Sequence, residues 1–224
     1  MNNLKENKKL QIKNATIGYD NNIIFKDLNV DFQCGKITAI LGPSGCGKST
    51  ILRTLAGLLK PTVGQVMYYN EEIKKPHNDI CMMHQKYVNF PWLTCLENVI
   101  IGGQANQNNL SSRVSAKKYK MDPKKIDNLE AYEILKKVGL EESALKYPHE
   151  LSGGMNQRLS LARVLYRNPK VILMDEPLSA LDPTTRKNMQ NLLLDMHYKE
   201  NNTIIMVTHD PDEAKKMCHS VIQL

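Results

Sequence analysis

The chain has 224 residues, 42% of them hydrophobic and 24% charged, and its formal net charge is +7 at pH 7; that length suits one domain, or a core with a subdomain, and can bury a sizeable core. No run approaches the roughly 18 apolar residues of a membrane span, and five scattered cysteines without a C-x-x-C pair exclude a disulfide or zinc framework. Because the polar N-terminus lacks a signal segment, we expect a soluble cytosolic chain. Its positive net charge suits binding to nucleic acid, to an anionic membrane surface or to an anionic ligand.

The first part of the chain predicts strands on both sides of one short helix. Alternating or apolar β-type residues predict strands, and apolar residues spaced three and four apart predict a helix. The predicted strands cover residues 10–17, 23–32, 36–41 and 65–69, a turn covers residues 20–22, and the helix covers residues 49–56. Because residues 60–64 contain Pro and Gly and break the pattern, we expect the strand that follows them to lie at a sheet edge.

The later part predicts a polar helical region followed by two buried strands. Residues 94–151 are helical in character, with the clearest helix at residues 128–138, and residues 104–125 resemble an exposed insertion. The basic residues of that insertion are expected to form a solvated face, with a membrane or nucleic-acid patch as the other interpretation. They are Arg113, Lys117, Lys118, Lys120, Lys124 and Lys125. Residues 171–174 and 203–207 are apolar β runs typical of parallel strands covered on both faces, so the chain predicts an α/β sheet with an inserted helical piece.

Residues 42–49 fit the phosphate-binding pattern G-x-x-x-x-G-K-[ST]. They stand between a predicted buried strand and a predicted helix, which is the context that this pattern needs. Glycines let backbone N–H groups turn toward phosphate oxygens, and a helix N-terminus favours negative charge. Lys48 would reach the outer phosphates, and the Ser49 hydroxyl would ligate Mg²⁺. The residues predicted to hold a nucleoside triphosphate are Gly42, Pro43, Ser44, Gly45, Cys46, Gly47, Lys48, Ser49 and Thr50.

Two carboxylates, Asp175 and Glu176, follow the predicted strand at residues 171–174. They would lie at the carboxyl edge of the sheet, where ligands bind in such folds. Asp175 suits the Mg²⁺ shell, directly or through water, and Glu176 could orient and deprotonate a water that attacks the γ-phosphate. In isolation an Asp-Glu pair is more often surface charge, but downstream of a phosphate loop it predicts hydrolysis.

Further motifs follow in order along the chain. They are Gln85, Leu-Ser-Gly-Gly at residues 151–154 before a predicted helix at residues 159–165, Ser-Ala-Leu-Asp at residues 179–182, and His209. Together with the phosphate loop and the Asp-Glu pair, they resemble the ATP-binding subunits of ABC transporters over nearly the whole chain. The resemblance implies a P-loop nucleoside triphosphatase core with an antiparallel β subdomain and an inserted α-helical subdomain. It predicts a single domain over residues 1–224, with the core at about 1–86 and 159–224 and the helical subdomain at about 87–158.

The resemblance also implies ATP hydrolysis by two such domains that face each other head to tail and sandwich two ATP molecules. Ser152, Gly153 and Gly154 would then contact the γ-phosphate that is held by Lys48 of the opposite subunit. The implied catalytic residues are Glu176, His209, Gln85 and Lys48, and the implied Mg²⁺ ligands are Ser49, Gln85 and Asp175. Tyr19 matches the position that stacks on adenine, and Asp182 matches a residue at the dimer seam.

Three segments look like the nitrate/sulfonate/taurine-type importers: Phe-Pro-Trp-Leu-Thr at residues 90–94, Leu-Glu-Asn-Val at residues 96–99 and Tyr-Pro-His-Glu at residues 147–150. This implies a peripheral energy-coupling subunit at the cytoplasmic face of the membrane, for small anions or related organic solutes. Its implied partners are transmembrane permease subunits, a second identical or closely related ATP-binding subunit, and an extracytoplasmic solute-binding protein. Phe90 and Trp92 are candidates either for contact with a short permease helix or for core packing of the helical subdomain.

Two other functions use the same ATPase chemistry. The chain could belong to an exporter or a lipid-handling transporter, or it could be a soluble ABC ATPase acting on nucleic acid or ribosomes. The soluble ABC ATPase is supported only by the basic residues, so no nucleic acid is expected as a partner.

The chain departs from the family pattern at a few positions. Met155 stands where many members have Gln, so any role of that Gln is absent or shifts to Asn156 or Gln157. Cys46 in the phosphate loop is either a small side chain turned away from the ligand or a thiol made reactive by the nearby lysine and helix N-terminus. We expect no appended regulatory domain, because the sequence ends just after the helix that follows His209.

Overall fold

A computed structural model describes residues 9–20, 22–104 and 128–224 of the chain. The predicted basic cluster at residues 113–125 lies outside the described residues. In chain order the strands are β1 (Lys9–Tyr19), β2 (Asn22–Gln33), β3 (Ile37–Leu41), β4 (Val63–Tyr68), β5 (Glu71–Glu72), β6 (Ile80–Met83), β7 (Val171–Asp175), β8 (Thr203–Val207) and β9 (Ser220–Gln223). The helices are α1 (Lys48–Leu55), α2 (Cys95–Gln104), α3 (Leu129–Lys137), α4 (Gly153–Arg167), α5 (Pro183–Glu200) and α6 (Pro211–Met217).

The chain divides into two compact units. The first comprises Met1–Met82, Lys170–Glu176 and His197–Leu224, and the second comprises Met83–Pro169 and Pro177–Met196. Both sheets belong essentially to the first unit, while α2, α3 and α4 belong to the second. The predicted α/β class is therefore confirmed, and α2, α3 and α4 lie together in the second unit.

An antiparallel sheet opens the first unit, with strand order β2-β1-β4-β5. Leu10, Ile12 and Ile17 of β1 are buried, and this alternation is the reason that the segment forms a half-exposed strand. The prediction that residues 65–69 form an edge strand is wrong, because β4 lies between β1 and β5. The edge is β5, two glutamates without an apolar pattern, and nothing in its sequence predicted a strand.

A second sheet has the order β6-β7-β8-β3-β9, and β7, β8, β3 and β9 run parallel. Every residue of β7 and β8 is buried, as the apolar runs predicted for strands covered on both faces. The last strand, β9, was missed, since its mostly exposed edge position leaves only two apolar residues, Val221 and Ile222, to mark it.

The helix α1 packs into the core that the two sheets share within the first unit. Its residues Ile51, Leu52 and Leu55 are fully buried, and side chains from β1, β3, β4, β7 and β8 complete the cluster. Each such side chain contributes about 1.5–3 kcal/mol relative to exposure. The core therefore fixes the position of the loop between β3 and α1, which carries the phosphate-binding pattern.

In the second unit α4 packs against α2 and α3. The predicted helix at residues 128–138 is confirmed as α3, whose N-cap Asn128 accepts a hydrogen bond from the Ala131 amide at 3.0 Å. Within the described residues, none of the helices is long and apolar enough to cross a membrane.

Gly45 and Gly64 have nearly the same backbone conformation. A comparison of the two therefore separates the cost of backbone strain from the cost of a steric clash. Gly64 has φ of +80°, and a Cβ there would lie 2.3 Å from the Asn14 carbonyl oxygen, whereas Gly45 has φ of +81° and a Cβ that meets nothing within 4 Å. We expect Gly64→Ala to lower the free energy of unfolding by clearly more than Gly45→Ala, which should cost only the roughly 1–2 kcal/mol of positive φ. Denaturant unfolding of both variants measures the difference. Equal decreases in the free energy of unfolding would contradict this, and would mean that the strands relax without cost around the methyl group added at Gly64.

Candidate functional site

The loop at residues 42–47 joins the end of β3 to the start of α1 and is pressed against β2. Gly47 has φ of +101°, and a Cβ there would lie 2.5 Å from the Phe25 ring and 2.8 Å from Ile24. Only glycine fits this close approach. No side chain caps α1 within the described residues, so its first backbone N–H groups are available for an anion.

The side chain of Lys48 turns back into this loop. Its ammonium is buried and donates hydrogen bonds to the carbonyl oxygens of Gly42 and Pro43, both at 2.8 Å. A buried charge is tolerated only when it is hydrogen-bonded in this way. The loop thus holds one positive charge beside the helix N-terminus, which is the electrostatic arrangement that a polyphosphate requires.

Cys46 also points into the loop. A Cβ on Gly42 would lie 2.9 Å from the Cys46 Sγ, and the Lys48 ammonium is 4.0 Å from the same sulfur. This position favours the interpretation of Cys46 as a small side chain packed within the loop.

At the carboxyl end of β7, Asp175 is buried, and its Oδ1 has no hydrogen-bond partner among the described residues. A buried carboxylate oxygen without a partner is costly unless it binds a cation or water. Mg²⁺ prefers one or two carboxylates together with phosphate oxygens, so Asp175 fits the metal-ligand role predicted for it.

Glu176 lies just beyond the strand in a left-handed backbone conformation, with φ of +49°. Its amide donates to the Val207 carbonyl at 3.1 Å, which fixes this turn to the end of β8. A non-glycine residue at positive φ stores strain, and such strain concentrates at functional sites. The conformation directs Glu176 away from the line of β7.

His209 contacts Glu176 directly. The His209 Nε2 and the Glu176 Oε1 are 2.7 Å apart, and the two side chains are 42% and 18% exposed. They come together because β7 and β8 are adjacent and parallel, so both follow strands that end at the same edge. The structure thus pairs two of the residues that the resemblance implied to be catalytic.

Tyr19 ends β1, half-exposed, and its hydroxyl accepts a hydrogen bond from the Arg53 guanidinium at 3.0 Å. Arg53 lies on α1, so the predicted adenine-stacking residue is tied to the helix that begins at the phosphate loop. Neither this bond nor the contact of Phe25 with the loop was predicted, since both join residues remote in sequence.

The second unit carries the Ser-Gly-Gly segment at an exposed helix start. Ser152 caps α4, and its Oγ accepts a hydrogen bond from the Met155 amide at 3.2 Å. A Cβ on Gly153 would meet nothing within 4 Å, whereas one on Gly154 would lie 3.2 Å from the Ala180 carbonyl oxygen. Ser152 and Gly153 therefore present an open helix N-terminus, and Gly154 is needed for packing.

Asn156 and Gln157 are the residues to which a role of the missing Gln could shift. Both are buried, and both side chains bond inside the unit: the Asn156 amide donates to the Pro148 carbonyl at 2.9 Å, and the Gln157 Oε1 accepts from the Ala180 amide at 3.1 Å. These bonds favour the interpretation that any role of that Gln is absent from this chain.

The remaining predicted residues of the second unit are exposed. Asp182 accepts a hydrogen bond from the Thr185 amide at 3.0 Å at the start of α5, and hydrogen bonds from Thr185 hold the pKa of the Asp182 carboxyl below its usual value. Gln85 is exposed two residues beyond β6.

The predicted site residues divide between the two units. The first unit carries Tyr19, the phosphate loop, Asp175, Glu176 and His209, and the second carries Gln85, Ser152, Gly153, Gly154 and Asp182.

The geometry in the first unit defines a class of protein. The carboxyl edge of its parallel sheet carries both a phosphate loop and an acidic pair at a strand end, and this combination is typical of P-loop nucleoside triphosphatases. A model of the ABC transporter family matches residues 25–179. The chain belongs to this family, binds ATP and is an ATPase.

Three curated relatives document the similarity. The chain is 38% identical over 221 residues to an uncharacterized ABC transporter ATP-binding protein, MJ0412, of Methanocaldococcus jannaschii, covering 96% of this chain and 77% of that protein. It is 41% identical over 189 residues to the taurine import ATP-binding protein TauB of Roseobacter denitrificans, covering 84% and 65%. It is 39% identical over 204 residues to the nitrate import ATP-binding protein NrtC of a Synechocystis species, covering 90% of this chain but 28% of that protein.

A solved structure agrees with the fold. The ATP-binding cassette MJ0796, in a dimeric post-hydrolysis state with ADP and Pi, superimposes with a TM-score of 0.80 at 32% identity, covering 96% of this chain and 94% of that chain.

The cysteines differ in their expected reactivity. Burial raises the pKa of the Cys95 thiol to about 11 and that of Cys218 to about 12, and alkylation requires the thiolate. Near neutral pH we expect maleimide to leave both unmodified, with labelling appearing only as the pH approaches these values. Cys46 is packed in the loop but only half-buried, so we expect it to be labelled, and ATP bound at the loop should protect it. Peptide mass spectrometry with and without ATP measures this, and neutral-pH labelling of Cys95 or unprotected labelling of Cys46 would contradict it.

Proposed function

We propose that the chain is the energy-coupling subunit of an importer for small anions such as nitrate, sulfonate or taurine-like solutes. The observation that carries the proposal is the identity of about two residues in five to TauB and NrtC over 84% and 90% of this chain. Their names assign them to taurine and nitrate import. The residues 90–94, 96–99 and 147–150 resemble the same importer type, and the alternative of an exporter or lipid-handling subunit has no comparable support.

ATP binding is proposed to use the loop at residues 42–50, with Lys48 on the outer phosphates and Tyr19 stacked on adenine. The residues proposed to hold Mg²⁺ are Ser49 and Asp175, with Gln85 as a further ligand. The buried, unpartnered Oδ1 of Asp175 supports this assignment. When bound, Mg²⁺ neutralises charge that develops on the β- and γ-phosphate oxygens.

Hydrolysis is proposed to use Glu176 as the base. Its carboxylate would take a proton from a water whose oxygen attacks the γ-phosphorus, and the bond from that phosphorus to the ADP oxygen breaks. His209, 2.7 Å from Glu176, would hold the carboxylate in line with this water. The left-handed backbone of Glu176 and the bond from its amide to the Val207 carbonyl hold the base of the same side chain.

A second ATP-binding subunit, identical or closely related, would complete the site. Ser152 and Gly153 present an exposed helix N-terminus, which suits the γ-phosphate of ATP held by the other subunit. Closure would exclude water and strengthen each electrostatic contact. Asp182, exposed at the start of α5, would lie at the seam, and the dimeric MJ0796 cassette supports this arrangement.

The permease is proposed to dock on the turn that carries Trp92, which is 65% exposed with its ring 5.5 Å from that of Phe90. The fully buried Asn98 holds this turn: its Oδ1 accepts from the Phe90 amide, and its Nδ2 donates to the carbonyls of Phe90, Leu93 and Thr94. A rigid exposed aromatic is a typical interface anchor. Docking would keep the chain peripheral at the cytoplasmic face, in a system that includes an extracytoplasmic solute-binding protein.

Replacing the proposed base should separate ATP binding from hydrolysis. We expect Glu176→Gln to keep ATP binding, to lose roughly 10²–10⁴-fold in turnover and to accumulate an ATP-dependent dimer. Steady-state phosphate release and analytical ultracentrifugation measure the two effects. Glu133→Gln, on the exposed face of α3, is the matched control, and a fully active Glu176→Gln would remove Glu176 from the role.

Loss of the exposed aromatic should release the chain from its permease. We expect Trp92→Ala to lower copurification of permease subunits from membranes by about tenfold, the effect of a hot-spot residue, while ATP hydrolysis by the isolated chain persists. Tyr198→Ala removes an aromatic of similar exposure, 73%, from α5 and serves as control. Identification of the companion proteins tests the importer itself: a permease and solute-binding protein for small anions support it, and ribosomes or DNA would overturn it.

A further inference from the structure

A polar cluster around the half-buried Asn89 ties the segment before Trp92 to helix α4. The Asn89 Nδ2 donates to the backbone oxygen and to the Oδ1 of Asn156, at 2.9 and 3.0 Å, and the Ser160 Oγ donates to the Asn89 Oδ1 at 3.0 Å. Asn156 and Ser160 are buried. We call Asn89, Asn156 and Ser160 the Asn89 cluster. Residues 84–90 form no helix or strand, so these bonds position the segment where regular structure does not.

Asn156 reaches from this cluster to the Ser-Gly-Gly segment. Its Nδ2 donates to the carbonyls of Pro148, Ser152 and Leu151 at 2.9, 3.3 and 3.4 Å. One buried side chain thus bonds to the segment that leads to Trp92 and to the residue that caps α4. Replacement of Asn89 would remove its hydrogen bonds to Asn156 and Ser160, and would leave the bonds from Asn156 to the carbonyls near Ser152 in place.

We call the turn at residues 90–94, which carries Trp92, the docking turn. A second contact joins it to α4 further along the helix. The Arg163 guanidinium lies 4.8 Å from the Phe90 ring centroid and donates to the Val88 carbonyl. Phe90 in turn lies against Trp92. The turn is therefore attached to α4 at two places: the Asn89 cluster near the start of the helix, and Arg163 further along it.

We propose that Asn89 is a positioning residue that couples the surface around Trp92 to Ser152. Hydrogen bonds in a buried cluster hold a fixed geometry, and α4 is a continuous helix capped by Ser152. A displacement of the docking turn therefore moves the cap, and closure of Ser152 on ATP moves Trp92, because coupling between two sites is reciprocal. This inference rests on the proposed function, in which Trp92 meets the permease and Ser152 meets ATP.

The chain contains one tryptophan, so its fluorescence reports on the docking turn. The experiment uses Glu176→Gln as the parent and adds MgATP at concentrations where sedimentation shows the dimer. Asn89→Leu and Asn89→Ala are made in this parent. The matched control is Asn29→Leu, which removes an asparagine on β2 whose Oδ1 accepts from the Asn14 amide at 2.9 Å. We expect a shift of Trp92 emission on dimer formation in the parent and the control, and loss of most of that shift in both Asn89 variants, although they still dimerise.

The outcomes separate this inference from the function on which it rests. A parent that forms no ATP-dependent dimer overturns the proposed nucleotide sandwich and the coupling with it. A parent that dimerises with unchanged emission, or Asn89 variants that keep the full shift, overturn the coupling alone. If Asn89→Leu fails to fold by circular dichroism, Asn89→Ala decides, since it removes the same bonds without added volume. If neither folds, Asn89 is a stability residue and the positioning role is wrong.

Discussion

The burial of α1 in the core of the first unit is the constraint on which the site depends. Three fully buried side chains of α1 pack with the two sheets, and they fix where the helix begins. A helix N-terminus attracts anions only if it is held in place, with its first N–H groups directed into one volume. The phosphate loop can therefore stay short and glycine-rich, because the core holds both of its ends.

The stability of this core allows strained and charged features at the carboxyl edge of the parallel sheet. Gly47 lies against Phe25, Lys48 is buried among backbone carbonyls, and Glu176 adopts a left-handed conformation. Each feature is unfavourable in isolation, by amounts of order 1–3 kcal/mol for strained residues. Together they aim an ammonium, a carboxylate and an imidazole in fixed directions, which is how a site avoids reorganisation during hydrolysis.

The second unit uses polar bonds where the first uses apolar packing. Asn98 fixes the turn of Trp92, Asn156 fixes the start of α4, and Gln157 fixes the turn before Asp182. Buried amides of this kind specify one geometry, since any shift leaves a donor or acceptor unsatisfied. Under the proposed function this unit responds to a docked permease and to a nucleotide, and such discrete contacts would move as connected pieces.

The sequence by itself determined the alternation of strands and helices, the phosphate loop and the acidic pair, because these depend on local periodicity and on residues at fixed spacing. Two apolar runs predicted β7 and β8, and the helical character of residues 128–138 predicted α3. Tertiary structure alone decided that β4 is an inner strand, that β9 closes the second sheet and that Phe25 supports Gly47, since pairing between distant segments leaves no local pattern. The same holds for the Glu176–His209 contact, which exists because two parallel strands end side by side. It also holds for the hydrogen bonds between Asn89 and Asn156, which join residues far apart in sequence.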